Sequence, residues 1–471
     1  MVAVLALAFQ GTRPLWDPDE GRFTSVALEM LATGNVWLPA LNDAQVHLTK
    51  PPLTYWALAA SLHSFGTNTW AARLPNSLAL IASAFAVLLL AGRFVPRRPW
   101  LGVFVFGTSL LPLLASNVIT TDTWLLLFET VAMAAFLRGQ REPRWVLVAW
   151  LALALGFMTK GPPVFIPLLV LAVWFARRER AAWLFPWQGL ALFAVVGLSW
   201  FAWLLYRQPE LWSYFLGYEF YGRIFTDVHD RHPQWYGAIK VYAPILLLAT
   251  LPWVARGGWW RILPALPRPS FWRELANRDP DRAFLLLWFL LPLAIFALAQ
   301  SRLFLYVLPL SVPLALLIAR SLDGAFPIAL PTRWRVGLAL WVLAVFAIKA
   351  ATTQLTSHKD AQALAEVVRR EAPAADRVLF ANTPARYGLR FYLGVPVEQV
   401  GQPHESAARA RGAAERDLCT VIALHPRAAV FTSGTLLGKS AEPHPPPPCS
   451  GWRFWSKEPS GGLWFAVRSS S

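Results

Sequence analysis

Three carboxylates and a guanidinium fall within six residues in Asp17-Pro18-Asp19-Glu20-Gly21-Arg22. Clustered carboxylates can take or orient a proton, and a cation beside them can hold an anion that forms or departs. Asp17 or Asp19 also suits the N-cap of the helix expected next, a role that accounts for one acid but not for three. A second theme is the cation at a helix start. Lys50-Pro51-Pro52 precedes a helical pattern over 53–65, Lys160-Gly161-Pro162-Pro163 precedes another, Arg73 comes just before Pro75, and Arg302 heads an apolar run over 303–319. A cation there faces the positive end of the helix dipole, which a bound anion relieves, and helix N-termini with cations nearby make good phosphate sites. Anchoring to lipid headgroups is the simpler alternative. Asp122, in Thr120-Thr121-Asp122-Thr123, opens a further apolar helix as either a cap or a functional carboxylate. The loop after residue 205 holds Glu219, Arg223, Asp227, His229, Asp230, Arg231 and His232, then Trp235 and Tyr236. Such side chains recognise sugars and phosphates, and a solvated loop also contains them.

The elements that must position these groups are membrane helices. Of the 471 residues, 56% are hydrophobic and only 15% charged, outside the range of soluble domains. The 25 Trp and 30 Phe fit the same class, since aromatic rings suit the headgroup boundary. The net charge of +16 does not point to nucleic acid, because the basic residues punctuate apolar runs and form no continuous patch. Apolar runs predict about eleven spans, near 1–11, 74–92, 100–115, 120–137, 145–158, 163–176, 184–205, 241–255, 283–299, 303–319 and 336–351. Every second connecting loop is basic: Arg93, Arg97 and Arg98, then Arg138, Arg141 and Arg144, then Arg177, Arg178 and Arg180, with the series continuing through Arg256 to Arg282 and Arg320 to Arg335. The positive-inside rule puts those loops and the N-terminus in the cytoplasm, and the loop 12–73 and the tail 352–471 outside. The Lys and Arg residues named above then gather on the side where they should be scarce. Residues 1–9 lack a basic n-region, so no cleavable signal peptide is expected; they reach only about 14 Å as helix, which places the start of the first span upstream of Met1.

Two domains follow: a membrane domain over 1–351, with its first outer loop at 12–73, and a small outer α/β domain over 352–471. In the outer loop the stripe Phe23, Val26, Ala27 and Met30 predicts an amphipathic helix lying in the membrane surface. In the tail a helix is expected from Lys359 to Arg370, and strands at 377–381, 419–424, 428–432 and 462–468. The Pro445 to Pro448 run is expected to be a stiff loop. Gly434 to Ser440 has three residues between its glycines where a phosphate-binding P-loop has four, so no nucleotide is expected there. Cys419 and Cys449 are too few for a disulfide framework and lack metal-ligand spacing; whether they pair is open.

With these residues in order, the chain resembles the GT-C membrane glycosyltransferases, in the branch of protein O-mannosyltransferases and lipid A aminoarabinose transferases. The resemblance rests on Asp19-Glu20-Gly21-Arg22, Lys50-Pro51-Pro52-Leu53 with Tyr55-Trp56, Ala72-Arg73-Leu74-Pro75, Asp122, Gly156 to Pro162, His229 to Tyr236, and Ser301-Arg302 with Tyr306 and Pro309. It covers residues 12–350, and Phe391 to Gly394 is similar to the outer domain of the aminoarabinose transferase-like members. It implies a GT-C fold of about 11–13 transmembrane helices. It also implies an inverting hexosyl- or pentosyltransferase of the cell inner membrane, multi-pass, with a periplasmic catalytic face. The donor would be a polyprenyl (undecaprenyl) phosphate sugar. The acceptor would be an envelope molecule such as lipid A or protein, so lipid A modification and protein glycosylation are both open, as is the sugar. Asp19 and Asp122 would be the catalytic carboxylates. Glu20, Arg22, Lys50, Arg73, Lys160, Arg223, Tyr236 and Arg302 would bind substrate. No cofactor is required; relatives that use a divalent metal carry an acid before Lys-Pro-Pro where Thr49 stands here, which leaves His229 and His232 as its only candidate ligands. A transporter or flippase of lipid-linked sugars is the alternative function, against which stand span centres almost free of charge. A scaffold displaying the tail would give the charged motifs no purpose.

Overall fold

The computed structural model describes residues 1–43, 45–176, 181–222, 232, 234–251, 253, 263–325, 331–355, 357, 359–381, 383–400, 418–433, 452–457 and 463–468. The chain forms two compact units. One comprises Met1–Gln10, Arg73–Pro209 and Phe215–Thr353; the other comprises Gly11–Ala72, Glu210–Tyr214 and Gln354–Ser471.

The first unit is a bundle of apolar helices, and each run expected to span the membrane carries helix, from Val2–Leu7 to Thr332–Ala351. Among the described residues four helices are long and apolar enough to cross a membrane: Thr69–Phe94, Pro280–Leu298, Phe304–Ala325 and Thr332–Gln354. The number is six if each bent pair, Pro99–Thr108 with Leu110–Ser116 and Ala182–Gly197 with Ser199–Arg207, is one span. The remaining helices fall short for physical reasons: Thr121–Gly139 carries Asp122, Glu129 and Arg138, and others are simply brief. Lipid tails are as apolar as leucine, so such helices associate by close packing and not by expelling water. Gly156 supplies closeness. A Cβ there would strike Val164 Cγ2 and sit 3.0 Å from the Phe128 Cβ, so glycine lets Arg144–Lys160 lie close to both Pro162–Phe165 and Thr121–Gly139. Phe157 packs against Phe165, Phe193 and Phe201 with ring centroids 5.8, 5.4 and 5.2 Å away, tying neighbouring helices to the same hairpin. At one end the basic loops meet: Arg98 pairs with Asp323 at 3.1 Å, and Arg320 pairs with Asp279 at 2.8 Å while donating to the Phe94 carbonyl.

The second unit is built on a five-stranded sheet in the order Val397–Val400, Val378–Ala381, Ala429–Ser433, Leu463–Arg468, Trp452–Lys457. The first three strands run parallel and the last two antiparallel to their neighbours. The segment 419–424, expected as a strand, is the helix Leu418–Leu424. Parallel strands need a crossover connection, and Val421 and Ile422 cover Leu379, Ala381 and Val430 on one face of the sheet. The helix expected at 359–370 forms as Ala361–Glu371, capped by the Asp360 carboxylate, which accepts from the Gln362 and Ala363 amides.

The helix Asp19–Thr33 departs from expectation. Its stripe does not lie open for a membrane surface; Val26 and Met30 are buried in one core with Leu364, Val368, Phe380 and Phe431. Apolar area that could have met lipid is spent on a protein core. Three polar links fix the same association: Arg390 pairs with Glu29 at 2.6 Å, Arg377 pairs with Asp43 at 2.9 Å, and the Asn42 amide donates to the Val397 carbonyl at 2.7 Å. Neither Asp17 nor Asp19 caps the helix, whose N-cap is Pro18 without a side-chain bond; it ends at Gly34, where φ is 70°.

Candidate active site

In the helical unit, the end opposite the basic loops holds a polar cluster. Thr121–Gly139 starts there and Arg144–Lys160 finishes there, which brings the Lys160 ammonium onto the Asp122 Oδ1 in a buried ion pair. Sequence reading put Lys160 before a helix, at the unfavourable end of its dipole. It is instead the last residue of its own helix, where the carbonyl end favours a cation, and Gly161 at φ 80° then turns the chain into Pro162–Phe165. Asp122 is not the cap either. Thr120 caps, its hydroxyl accepting from the Asp122 amide and donating to Asp122 Oδ2 at 2.8 Å, so both carboxylate oxygens are engaged. Asn76 holds the approach to that turn, donating to the Val118 and Thr120 carbonyls at 2.8 and 2.9 Å while accepting from the Trp124 indole. The Tyr306 ring lies 4.5 Å from the ammonium. Two turns along from Asp122, Glu129 is buried with its Oε1 lacking a hydrogen-bond partner among the described residues. Sequence reading missed Thr120, Asn76 and Glu129; the spacing of Asp122 and Glu129 at i and i+7, on one helix face, was the signal available.

Other cations of this unit are engaged with the backbone. Arg302, buried, donates to the carbonyls of His232, Gln234 and Ala297 at 2.5, 3.0 and 3.0 Å. It thereby fixes the turn carrying Trp235 and Tyr236, whose rings meet edge to face at 5.6 Å and are exposed. A Cβ on Gly237 would strike the His232 carbonyl, so the turn also requires glycine. Arg73, 1% exposed, donates to the Gln10 carbonyl at 2.9 Å. Arg223 and His229 lie outside the described residues, as do Asp227, Asp230, Arg231, Cys449 and the segments 434–440 and 445–448. Thr49, in the second unit, bonds His47 Nε2 at 2.8 Å, a hydroxyl where a carboxylate would be needed for a divalent ion. Among the described residues no group of three or more His, Cys, Asp or Glu could hold a metal.

In the second unit, the Asp17 to Arg22 segment divides its labour. Glu20, 1% exposed, accepts from the Trp16 amide at 2.9 Å and pairs with Arg13 at 3.0 Å, and that guanidinium stacks 4.0 Å over the Trp16 ring. Asp19 is the open acid, its side chain 65% exposed and paired with Arg22 at 2.6 Å. Asp17 is buried. Its Oδ1 accepts from the Gly388 amide at 3.0 Å and its Oδ2 has no hydrogen-bond partner among the described residues, so burial pushes its carboxyl up to about 7 against the weaker pull of that amide and of Arg386. Gly21 and Gly388 leave the room it occupies, since a Cβ on either would meet the carboxylate. Lys50 lies half-buried just before Leu53–Phe65.

Comparison with known proteins places this geometry. Residues 49–203 match the family model of dolichyl-phosphate-mannose-protein mannosyltransferases. Over 329 residues the chain is 30% identical to the undecaprenyl phosphate-alpha-4-amino-4-deoxy-L-arabinose arabinosyl transferase of Shewanella sediminis, covering 67% of this chain and 57% of that protein. Its counterpart in Erwinia tasmaniensis is 31% identical over 353 residues, covering 71% and 61%. The chain thus spans about three-fifths of the length of the curated relatives it matches. The crystal structure of ArnT from Cupriavidus metallidurans bound to undecaprenyl phosphate superposes with a TM-score of 0.76 at 20% identity, covering 99% of this chain and 96% of that one, so the fold is shared throughout. In sequence the chain is similar to the aminoarabinose transferases and protein mannosyltransferases, and its fold is that of the GT-C membrane glycosyltransferases.

Proposed function

We propose that the protein transfers a sugar from an undecaprenyl phosphate carrier to an envelope acceptor, lipid A or protein, at the periplasmic face of the inner membrane. The observation that carries this reading is the buried Lys160–Asp122 pair at the helix ends opposite the basic loops. A charge pair is expensive at such a depth and marks function by default. The named relatives make 4-amino-4-deoxy-L-arabinose the first sugar to test. In the reaction an acceptor oxygen attacks the anomeric carbon, the bond from that carbon to the carrier phosphate breaks with inversion, and the acceptor proton passes to a carboxylate. Lys160 neutralises charge on the departing phosphate, and Asp122 orients Lys160 and the acceptor. Asp19, the open acid of its loop, is the proposed base, with Arg22 and Lys50 as phosphate ligands. Glu20 contributes by fixing backbone within its own loop, Arg73 and Arg302 by fixing backbone within the helical unit, and Tyr236 offers its ring to the sugar. No step is assigned to a metal.

The test is mass spectrometry of envelope lipids and proteins from cells with the gene, without it, and with Asp19→Asn. A sugar adduct present only with the intact gene supports transfer, and an adduct that survives deletion of the gene overturns it. An unaffected Asp19→Asn strain removes Asp19 from the role of base. Purified protein in detergent, given the lipid-linked donor and acceptor, separates transfer from transport, since no compartment remains to transport across.

A further inference from the structure

At the basic-loop end of the helical unit, some 16 residues along Thr121–Gly139 from Asp122 and so about 24 Å away, a cleft of about 800 Å³ opens between helices. Its mouth is cationic. Arg93, Arg138 and Arg141 line it, against the two acids Glu142 and Asp281, which leaves one positive charge in excess. Arg93 reaches Asp281 only at 3.5 Å, and Arg138 pairs with Glu142 at 3.0 Å. Arg141 has no ion pair among the described residues and is exposed. Deeper, the walls become apolar: Leu89 and Leu90 from Thr69–Phe94 face Val131 and Ala135 from Thr121–Gly139. At the level between these zones Arg138 lies 4.7 Å over the ring of Trp145, a residue type that prefers the headgroup boundary.

A cleft that is cationic at the membrane surface, aromatic at the boundary and apolar below matches an amphiphile with an anionic head. Exposed arginines alone would serve as positive-inside topology signals, but those need no cavity and no apolar walls. We infer that this cleft binds an anionic diacyl phospholipid from the leaflet at the basic-loop end, its phosphate between Arg93 and Arg141 and one acyl chain along Leu89 and Val131. The site is separate from the Lys160–Asp122 pair and does not depend on the proposed transfer.

The test uses the full chain in nanodiscs of equal phosphatidylglycerol and phosphatidylcholine, followed by native mass spectrometry of the lipid retained after gentle extraction. The expected result is selective retention of one phosphatidylglycerol per chain. Retention should fall roughly fivefold for each arginine removed in Arg93→Gln and Arg141→Gln, as about 1 kcal/mol per charge near a lipid surface requires. Equal retention of both lipids, or unchanged retention in the double variant, overturns the proposal. So does displacement of the lipid by inorganic phosphate, which would make this a headgroup-sized anion site. Should the double variant unfold, Arg141→Gln alone decides, because that side chain has no ion pair among the described residues.

Discussion

Both units bury acids, but they treat them differently. In the helical unit Asp122 meets a lysine from a neighbouring helix and a hydroxyl from its own cap. In the second unit Asp17 accepts from one backbone amide and has no ion pair among the described residues, feeling Arg386 only from a distance, while Glu20, Glu29 and Glu398 are each matched to an arginine. Where lipid is the solvent, ion pairs that serve assembly stay at the basic-loop end, as Arg98–Asp323 and Arg320–Asp279 do, and close glycine and phenylalanine packing does the work elsewhere. Where water is the solvent, arginine–carboxylate pairs tie a loop at 11–72 to a sheet at 378–433. Buried charges therefore serve the proposed chemistry in the helical unit and architecture in the second, where the groups proposed for chemistry, Asp19, Arg22 and Lys50, are not fully buried.

The sharpest way to break this contrast is to remove Lys160. Lys160→Met leaves Asp122 buried without its cation, which should lower stability by about 3–5 kcal/mol. Transfer should fall by about a hundredfold to a thousandfold, the loss typical of removing one charge-stabilising donor. Adding Asp122→Asn to that variant should restore the thermal unfolding midpoint in detergent and leave transfer lost. Recovery of both would make the pair architectural, like those of the second unit, and erase the distinction.

Asp17 offers the next largest effect, on stability. With its carboxyl raised from 3.8 to about 7, the folded unit keeps a proton that the unfolded chain releases above its ordinary pKa. Its contribution to stability is therefore full in acid and is lost as pH climbs from about 4 through about 7. The loss between about pH 5 and pH 8 should be on the order of 3 kcal/mol. Asp17→Asn preserves an acceptor for the Gly388 amide and carries no charge, so unfolding of that variant should be flatter with pH by this amount. Parallel profiles of the two proteins would contradict the burial of an unpaired carboxyl. Hydrogen exchange at the Gly388 amide should accelerate with pH in the parent beyond the intrinsic trend, and not in the variant.

How much of this was legible beforehand also differs between the units. Apolar runs and alternating basic loops are one-dimensional signals, so the apolar helices and the gathering of Arg98, Arg320 and their neighbours at one end of the bundle could be read from spacing. Lys160 and Asp122 stood out because charges are scarce in such runs. Their pairing was not legible, since it depends on the start of one helix meeting the end of its neighbour in space. Neither was the engagement of Arg73 and Arg302 by carbonyls, which a cation at a helix start does not reveal. In the second unit the stripe of Val26 and Met30 was visible but its partner was not: a lipid surface and a protein core more than 330 residues away in sequence accept the same stripe. The helix at 418–424 was misread because a short apolar run suits strand and helix equally until the parallel sheet beside it is known.

The smallest effect concerns how Asp122 is held. Thr120 both caps its helix and donates to Asp122 Oδ2 at 2.8 Å. Thr120→Val keeps the shape and removes both bonds, at a cost of about 1–2 kcal/mol from the lost cap and the unsatisfied oxygen. Transfer should fall by about tenfold, the equivalent of about 1.4 kcal/mol, as the carboxylate loses one of its two fixed contacts. Thr120→Ser retains the hydroxyl and should recover both properties. If serine restores stability and not transfer, the hydroxyl serves the helix alone, and orientation of Asp122 rests on Lys160.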